Sequence, residues 1–390
     1  MNNLLLPKNI EKIGYYTVSN RVYFYKNDAL AAVNNNINQI TYHYNDKLFD
    51  CYDWTNEPEP EVSIQEFYCR RARQLREKYD YVILMFSGGP DSTNMLDTFV
   101  DNQLHIDEII NINSYDRTQT VDNTVHNADY IYNVKPVLEE LQKKPNFQTR
   151  VTILDEIDLL QAHWRFNSFQ DSIEHVIMEP SGLNMFITKP TWVRYVPRLW
   201  KMIQDGIRVG VVYAADKPKL NLINGRYATS FLDINHGSYG FLSGHDKEFN
   251  DLDIFEWFYL SADMPDLAIK MVHLLKKFAN SHPESEFYRP IPAKFRPAQM
   301  CMSKLGHGNM RYDIFHKVVY PKWKPGFVTP KPTDGIIRQN DCFYLDKLDD
   351  NYQKIFRYGF DHYWKKNKQI VFSQPHKGIP WCETRPRFLE

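Results

Sequence analysis

The sequence predicts an α/β protein built on a doubly wound parallel sheet, with a small β-rich module before it and a helix-and-loop region after it. Three observations predict this. Tyr81-Val-Ile-Leu-Met-Phe86 is an apolar run of strand length, as expected of a strand covered on both faces. From there to Tyr213 such runs alternate with amphipathic stretches of helix length, the pattern of right-handed βαβ units. The first of these strands also runs straight into a loop of serines and glycines that opens a helix.

Taken in order, residues 12 to 50 alternate as strands do: Gly14-Tyr-Tyr-Thr-Val, a turn at Ser19-Asn20, Val22-Tyr-Phe-Tyr25, and Ile40-Thr-Tyr-His-Tyr. Asp28 to Val33 reads as a short helix. This is the N-terminal module, residues 1–60, and Asn56-Glu-Pro-Glu-Pro-Glu reads as a linker. Ser63-Ile-Gln-Glu66 is a capping box that opens a basic helix to about Tyr79. The central unit, 63–220, then carries the 81–86 strand and a helix over Ser92–Asn102 with Met95, Leu96, Phe99 and Val100 on one face. A strand over 108–113, a helix over about 123–143 and a strand over 150–154 follow. Helical stretches near 156–178 and 192–205 lead to the strand 208–213. In the last region, 221–390, residues 251–280 read as helical. The remainder, rich in proline, aromatics and loops, is expected to cover a cleft at the strand ends.

Composition narrows the function classes. Net charge is −1, so nothing global calls for nucleic acid or an acidic surface. No apolar run approaches the roughly 20 residues needed to span a bilayer, and the apolar stretch near Met1 is too short for a secretory signal. The five cysteines, 51, 69, 301, 342 and 382, are scattered without a C-x-x-C pair. That favours a reducing compartment and argues against a zinc ribbon, an iron–sulfur cluster or a dithiol site. The expected location is the cytoplasm, with no membrane partner.

The chemistry points to Ser87-Gly88-Gly89-Pro90-Asp91-Ser92. A loop that wraps pyrophosphate needs bare backbone amides aimed inward and a helix N-terminus behind them. Gly88 and Gly89 let the backbone come close, Ser87 and Ser92 add hydroxyls, and Asp91 is placed to hold a Mg²⁺ that bridges the phosphates. The chain contains no Gly-Lys dipeptide, which excludes a Walker loop.

The hexapeptide matches S-G-G-x-D-S, and the chain thereby resembles the PP-loop ATP pyrophosphatases, whose fold is the adenine nucleotide alpha hydrolase-like α/β sheet. A second segment, Val209-Gly-Val-Val-Tyr-Ala-Ala-Asp216-Lys217, is similar to the strand ending in G-x-G-[AS]-D-E of the synthetase domain of asparagine synthetases and β-lactam synthetase. The resemblance covers about residues 63–220. It departs at Tyr213-Ala-Ala, where glycines are usual, and at Lys217, where an acidic residue is. It implies ATP and Mg²⁺ as cofactors, with Asp216 joining Asp91 on the metal; the bland reading of Asp216 is an ordinary capping aspartate. Lys217 and Lys219 suit a departing pyrophosphate, or are solvated loop lysines. By the same resemblance Ile112, Asn113 and Ser114 are candidates for the adenine pocket, or end a plain core strand. No glutaminase domain is implied, because such a domain needs cysteine where Asn2 stands.

The reaction this implies is adenylation of a small-molecule acceptor with release of pyrophosphate, then attack by ammonia or an amine to form an amide or amidine. The missing paired cysteines argue against sulfur transfer. Two other readings stay open. One is a lysidine-synthetase-like enzyme acting on tRNA, for which the local net charge of +8 over 289–338 could track a phosphate backbone. The other is a protein that binds ATP without turnover. His236-Gly-Ser-Tyr-Gly240, Trp257-Phe-Tyr259 and Leu305-Gly-His-Gly308 are noted without a role.

Overall fold

The computed structural model describes residues 14–23, 29, 32–33, 39–113, 130–155, 158–159, 162, 190–214, 217–233, 254–290, 308–325, 350, 354 and 383–390. The chain divides into two compact units. One comprises Met1–Arg73, Ala214–Pro325 and Trp381–Glu390, the other Gln74–Tyr213 and Gly326–Pro380.

In chain order the strands are β1 Tyr15–Val18, β2 Arg21–Tyr23, β3 Thr41–His43, β4 Tyr81–Met85, β5 Glu108–Ile112, β6 Arg150–Leu154, β7 Val209–Tyr213, β8 Lys219–Ile223, β9 Arg226–Ser230, β10 Phe255–Trp257, β11 Tyr288–Pro290, β12 Gly308–Met310 and β13 Arg387–Phe388. The α-helices are α1 Asp46–Phe49, α2 Ile64–Lys78, α3 Pro90–Asp101, α4 Lys135–Gln142, α5 Pro197–Gln204, α6 Pro265–Ser281, α7 Glu284–Phe287 and α8 Tyr312–Val319. A π-helical turn, Tyr130–Val134, leads into α4, and a 3₁₀ segment, Pro190–Tyr195, precedes α5.

The second unit is the α/β sheet that the sequence predicts. Its strands lie parallel in the order β7-β4-β5-β6, with Leu84 opposite Val212 on one side and Ile109 on the other. Val82, Ile83 and Leu84 are wholly buried, as are Ile109, Ile110, Val211 and Val212. Each such aliphatic stabilises by roughly 2 kcal/mol. A surface ion pair contributes about 0–1, so the apolar run, not the charges around it, makes β4 a central strand. Gly210 in β7 is required by packing: a Cβ there would lie 2.4 Å from the Tyr79 ring. Helix α3 starts at Pro90, whose fixed φ suits a first helical position, and buries Met95, Leu96 and Phe99.

The first unit holds two antiparallel sheets. In β2-β1-β3, Tyr16, Val18, Tyr42 and Tyr44 are buried, while Tyr15, Thr17 and His43 share the half-exposed face. The second sheet runs β11-β12-β8-β9-β13. Arg71 of α2 and Glu256 of β10 form a buried ion pair at 2.6 Å, and Arg71 also donates to the Trp257 carbonyl. The stretch read as a linker is tied down, with Lys270 of α6 donating to Glu59 at 2.5 Å and to the Pro60 carbonyl at 2.7 Å.

Several expectations change. Residues 251–280 are not one helix: Phe255-Glu-Trp257 is a buried strand, and α6 starts only at Pro265, which has no N–H to give an earlier turn. The helix expected from Ser92 begins two residues sooner. The 192–205 helix is 3₁₀ up to Tyr195, and α5 opens at Pro197 for the same reason as α6. Of the 123–143 helix, residues 123–129 lie outside the described residues, and the rest opens as a π-helical turn. Most of the 156–178 stretch also lies outside them. The hairpin β8–β9 was not anticipated. Its turn is Asn224-Gly225 with φ of 55° and 75°, the left-handed pair that a two-residue hairpin demands.

Candidate functional site at the carboxyl end of the parallel sheet

From β4 the chain steps to β5 and then β6 on one side, and returns to place β7 on the other. The strand order therefore reverses between β4 and β7, and in open α/β sheets ligands bind outside the carboxyl ends at such a point. The loop that leaves β4 there is Ser87–Ser92.

Its root is held by β5. The buried Phe86 donates its N–H to the Ile110 carbonyl at 2.9 Å, and its own carbonyl accepts from Asn111 Nδ2 at 2.8 Å. The loop then closes on itself. Ser92 Oγ, buried, lies 3.1 Å from the Gly89 carbonyl, 3.2 Å from Ser87 Oγ and 3.3 Å from the Ser87 nitrogen. A hydroxyl has one proton, and Ser92 gives it to Gly89; Ser87 therefore donates to Ser92 through both its N–H and its hydroxyl.

The two glycines serve different needs. Gly88 has φ +72°, and a Cβ there would lie 2.7 Å from Asn133 Cβ and 2.9 Å from the Val134 nitrogen. Only glycine fits, because the π-helical turn lies against it. Gly89 has an ordinary φ of −73°, and among the described residues a Cβ there would meet only Ser87 Oγ at 3.5 Å. Packing among the described residues thus does not demand Gly89. Gly89 is also the N-cap of α3, where no side chain caps the helix, and Pro90 at the next position has no N–H. The positive end of a twelve-residue helix is thereby presented beside the loop, with half-exposed Asp91 in its first turn.

At the end of β5, Asn113 donates its N–H to the Leu154 carbonyl at 2.9 Å. The side-chain oxygens of Asn111 and Asn113 are both buried without a hydrogen-bond partner. These residues stand two apart on one strand, hence on one face. Ile112 between them is half-buried. On β7, Tyr213 is buried and accepts from Trp192 Nε1 at 2.8 Å; burial pushes its phenol far up.

The structure thus brings Ser87, Gly88, Gly89, Asp91 and Ser92 together and joins the loop root to the strand bearing Ile112 and Asn113. Asp216, Ser114, His236 and His307 lie outside the described residues. Lys217 and Lys219 belong to the first unit. Lys217 is buried with its ammonium 5.3 Å from the Phe315 ring centre and 6.0 Å from that of Tyr320. Lys219 is not in a loop, as expected, but starts β8 opposite Ser230. Burial pushes the nearby Glu383 carboxyl up, and the charge of Lys219 pulls it the other way. Sequence reading passed over Asn111 and Asn133. For Asn111 a signal existed, since an amide in an otherwise apolar strand must find partners; Asn133 carried none, because only the fold sets it against Gly88.

Among the described residues no three His, Cys, Asp or Glu side chains gather as a metal-binding group, and no helix is long and apolar enough to cross a membrane. No family model matches the chain, and no curated protein does. Ten chains of solved structure match, among them NMN synthetase from Francisella tularensis. That chain is 12% identical, with 79% of this chain and 97% of that one covered, at a TM-score of 0.26. A likeness that low carries nothing about chemistry.

Proposed function

We propose that this chain is an ATP-dependent ligase of the PP-loop pyrophosphatase kind, which adenylates a small-molecule acceptor and forms an amide or amidine. The observation that carries the reading is Gly89: a glycine that packing among the described residues does not require, in a self-closed serine loop, at a helix N-terminus and at the switch point of the sheet. That combination suits pyrophosphate, whose oxygens accept from backbone N–H groups and gain from the helix dipole. It also explains the absence of a Walker lysine, since the grip comes from backbone rather than from a side-chain cation.

In this reading the backbone N–H groups of Gly88 and Gly89 hold the β- and γ-phosphates in the loop that Ser87 and Ser92 close, while Ile112 and Asn113 flank the adenine. Asp91 would hold Mg²⁺, for which one carboxylate plus phosphate oxygens suffices. When bound, that ion would offset charge on the phosphates. An acceptor oxygen attacks the α-phosphorus as the bond to the leaving pyrophosphate breaks. The nitrogen nucleophile then attacks the adenylated carbon and expels AMP. ATP labelled separately at the α and γ positions tests this. AMP and pyrophosphate are expected, and ADP with free phosphate overturns it.

A further inference from the structure

We propose that the exposed face of the β2-β1-β3 sheet carries a second catalytic site, a Thr17–His43–Asp46 acyl-transfer triad unrelated to the phosphate loop. His43 Nδ1 lies 2.5 Å from Asp46 Oδ2, and His43 Nε2 lies 2.8 Å from Thr17 Oγ1. A carboxylate can only accept, so Nδ1 carries the imidazole proton and Nε2 presents its lone pair. The Thr17 hydroxyl must then donate to Nε2. This is the arrangement of nucleophile, general base and orienting acid that activates a hydroxyl.

The sheet explains why these residues meet. Tyr15 pairs with His43, and Thr17 with Thr41, so His43 is the diagonal neighbour of Thr17 on the half-exposed face. Tyr15 stacks on the imidazole at 4.7 Å and 5° between planes, which holds the ring in the plane that joins Thr17 to Asp46. Asp46 is the first residue of α1. Its other oxygen faces Arg387 at 3.3 Å, and Arg387 is anchored in turn on Asp50 at 2.6 Å. The base is therefore oriented by a carboxylate that is itself held. His43 and Asp46 keep 14% and 25% side-chain exposure and Thr17 is half-buried, so the three lie on the half-exposed face of the sheet. A merely structural threonine has no need of a histidine fixed in both tautomer and plane.

The substrate class is a carboxylic ester or another activated acyl group. Thr17 Oγ1 bonds to the acyl carbon as its proton passes to His43 Nε2. The bond from that carbon to the leaving oxygen breaks, and the leaving group takes the proton from Nε2. Water repeats the sequence on the acyl-threonine, releasing a carboxylic acid and restoring Thr17.

The test is covalent labelling of the full chain with a fluorophosphonate and a β-lactone probe, located by peptide mass spectrometry, alongside hydrolysis of p-nitrophenyl acetate. Expected is a label on Thr17 that is lost in the isosteric Thr17→Val and kept in Thr17→Ser. His43→Gln and Asp46→Asn should each slow labelling about 100-fold or more, with unfolding temperatures near wild type. The Asp46→Asn effect separates an oriented base from simple packing, because the volume is unchanged. No label on the wild-type chain from either probe, a label that persists in Thr17→Val, or unchanged labelling in His43→Gln overturns the proposal.

Discussion

The two ends of the parallel sheet are built from different chemistry. At the amino end, charges meet charges. Glu108, buried at the start of β5, accepts from Arg198, Thr152 and, at 3.1 Å, the Tyr81 hydroxyl, with Arg150 at 3.8 Å. Asp80, just before β4, takes a two-pronged grip from Arg208 at 2.9 and 2.6 Å, and Arg76 pairs with Asp107. At the carboxyl end, neutral groups hold the chain: an asparagine amide, two serine hydroxyls and two glycines. There two amide oxygens are buried without partners, and a helix N-terminus goes uncapped by any side chain. The amino end consumes its polar capacity internally; under the proposed function the carboxyl end keeps it for a ligand, and substitutions should then separate stability from function.

The largest effect should come from the carboxyl end. Asp91→Asn should lower ATP turnover about a thousandfold, roughly 4 kcal/mol of barrier, while the urea midpoint stays near wild type. Pyrophosphate release and circular dichroism measure both quantities. Normal turnover in the variant would remove Asp91 from the metal.

Next comes the amino end. Glu108→Ala strands a partly buried Arg198 and two hydroxyls, and should destabilise by about 3 kcal/mol. ATP affinity of the molecules that remain folded should be unchanged. A loss of affinity without a loss of stability would erase the contrast between the ends.

A smaller effect sharpens the contrast. Asn111→Leu keeps the branched shape but removes the donor to the Phe86 carbonyl, and should weaken ATP about tenfold, or 1.4 kcal/mol. Ile109→Ala, two residues toward the amino end, should cost more stability and less affinity. Equal affinity in wild type and Asn111→Leu would show that the loop root needs no tether.

The smallest effect is on pH dependence. Burial and the Glu108 carboxylate push the Tyr81 phenol from 10.0 to about 12. The folded state thus favours the neutral phenol, and its contribution is full below pH 10 and lost as pH rises through 12. Arg208 draws Asp80 down from 3.8 to about 2, so that contribution is present above pH 4 and lost as pH falls toward 2. Thermal unfolding of wild type should decline between pH 10 and 12 more steeply than that of Tyr81→Phe. Parallel curves would show that Tyr81 does not couple to the amino-end cluster.

Much of this was legible because it is local. Apolar runs of strand length predict β4 and β7, and the capping box at Ser63 predicts α2, where the Glu66 N–H donates to Ser63 Oγ at 3.2 Å. The phosphate loop is contiguous in sequence, so its residues announce themselves. The strand pair β8–β9 is equally local, signalled by Asn224-Gly225 between two apolar runs.

By itself, then, the sequence determined the parallel α/β sheet and the loop that leaves its first strand, since periodicity and glycine pairs act over a few neighbouring residues. The tertiary structure alone decided the rest. It set Asn133 against Gly88, and it spent the Asn111 amide on Phe86, twenty-five positions away. It also sent the Lys217 ammonium over two rings and put His43 between Thr17 and Asp46. Each of these depends on which strands pair and in what register. Register is a property of the assembled sheet, in which hydrogen bonds and burial are satisfied together, and no single stretch of chain contains it.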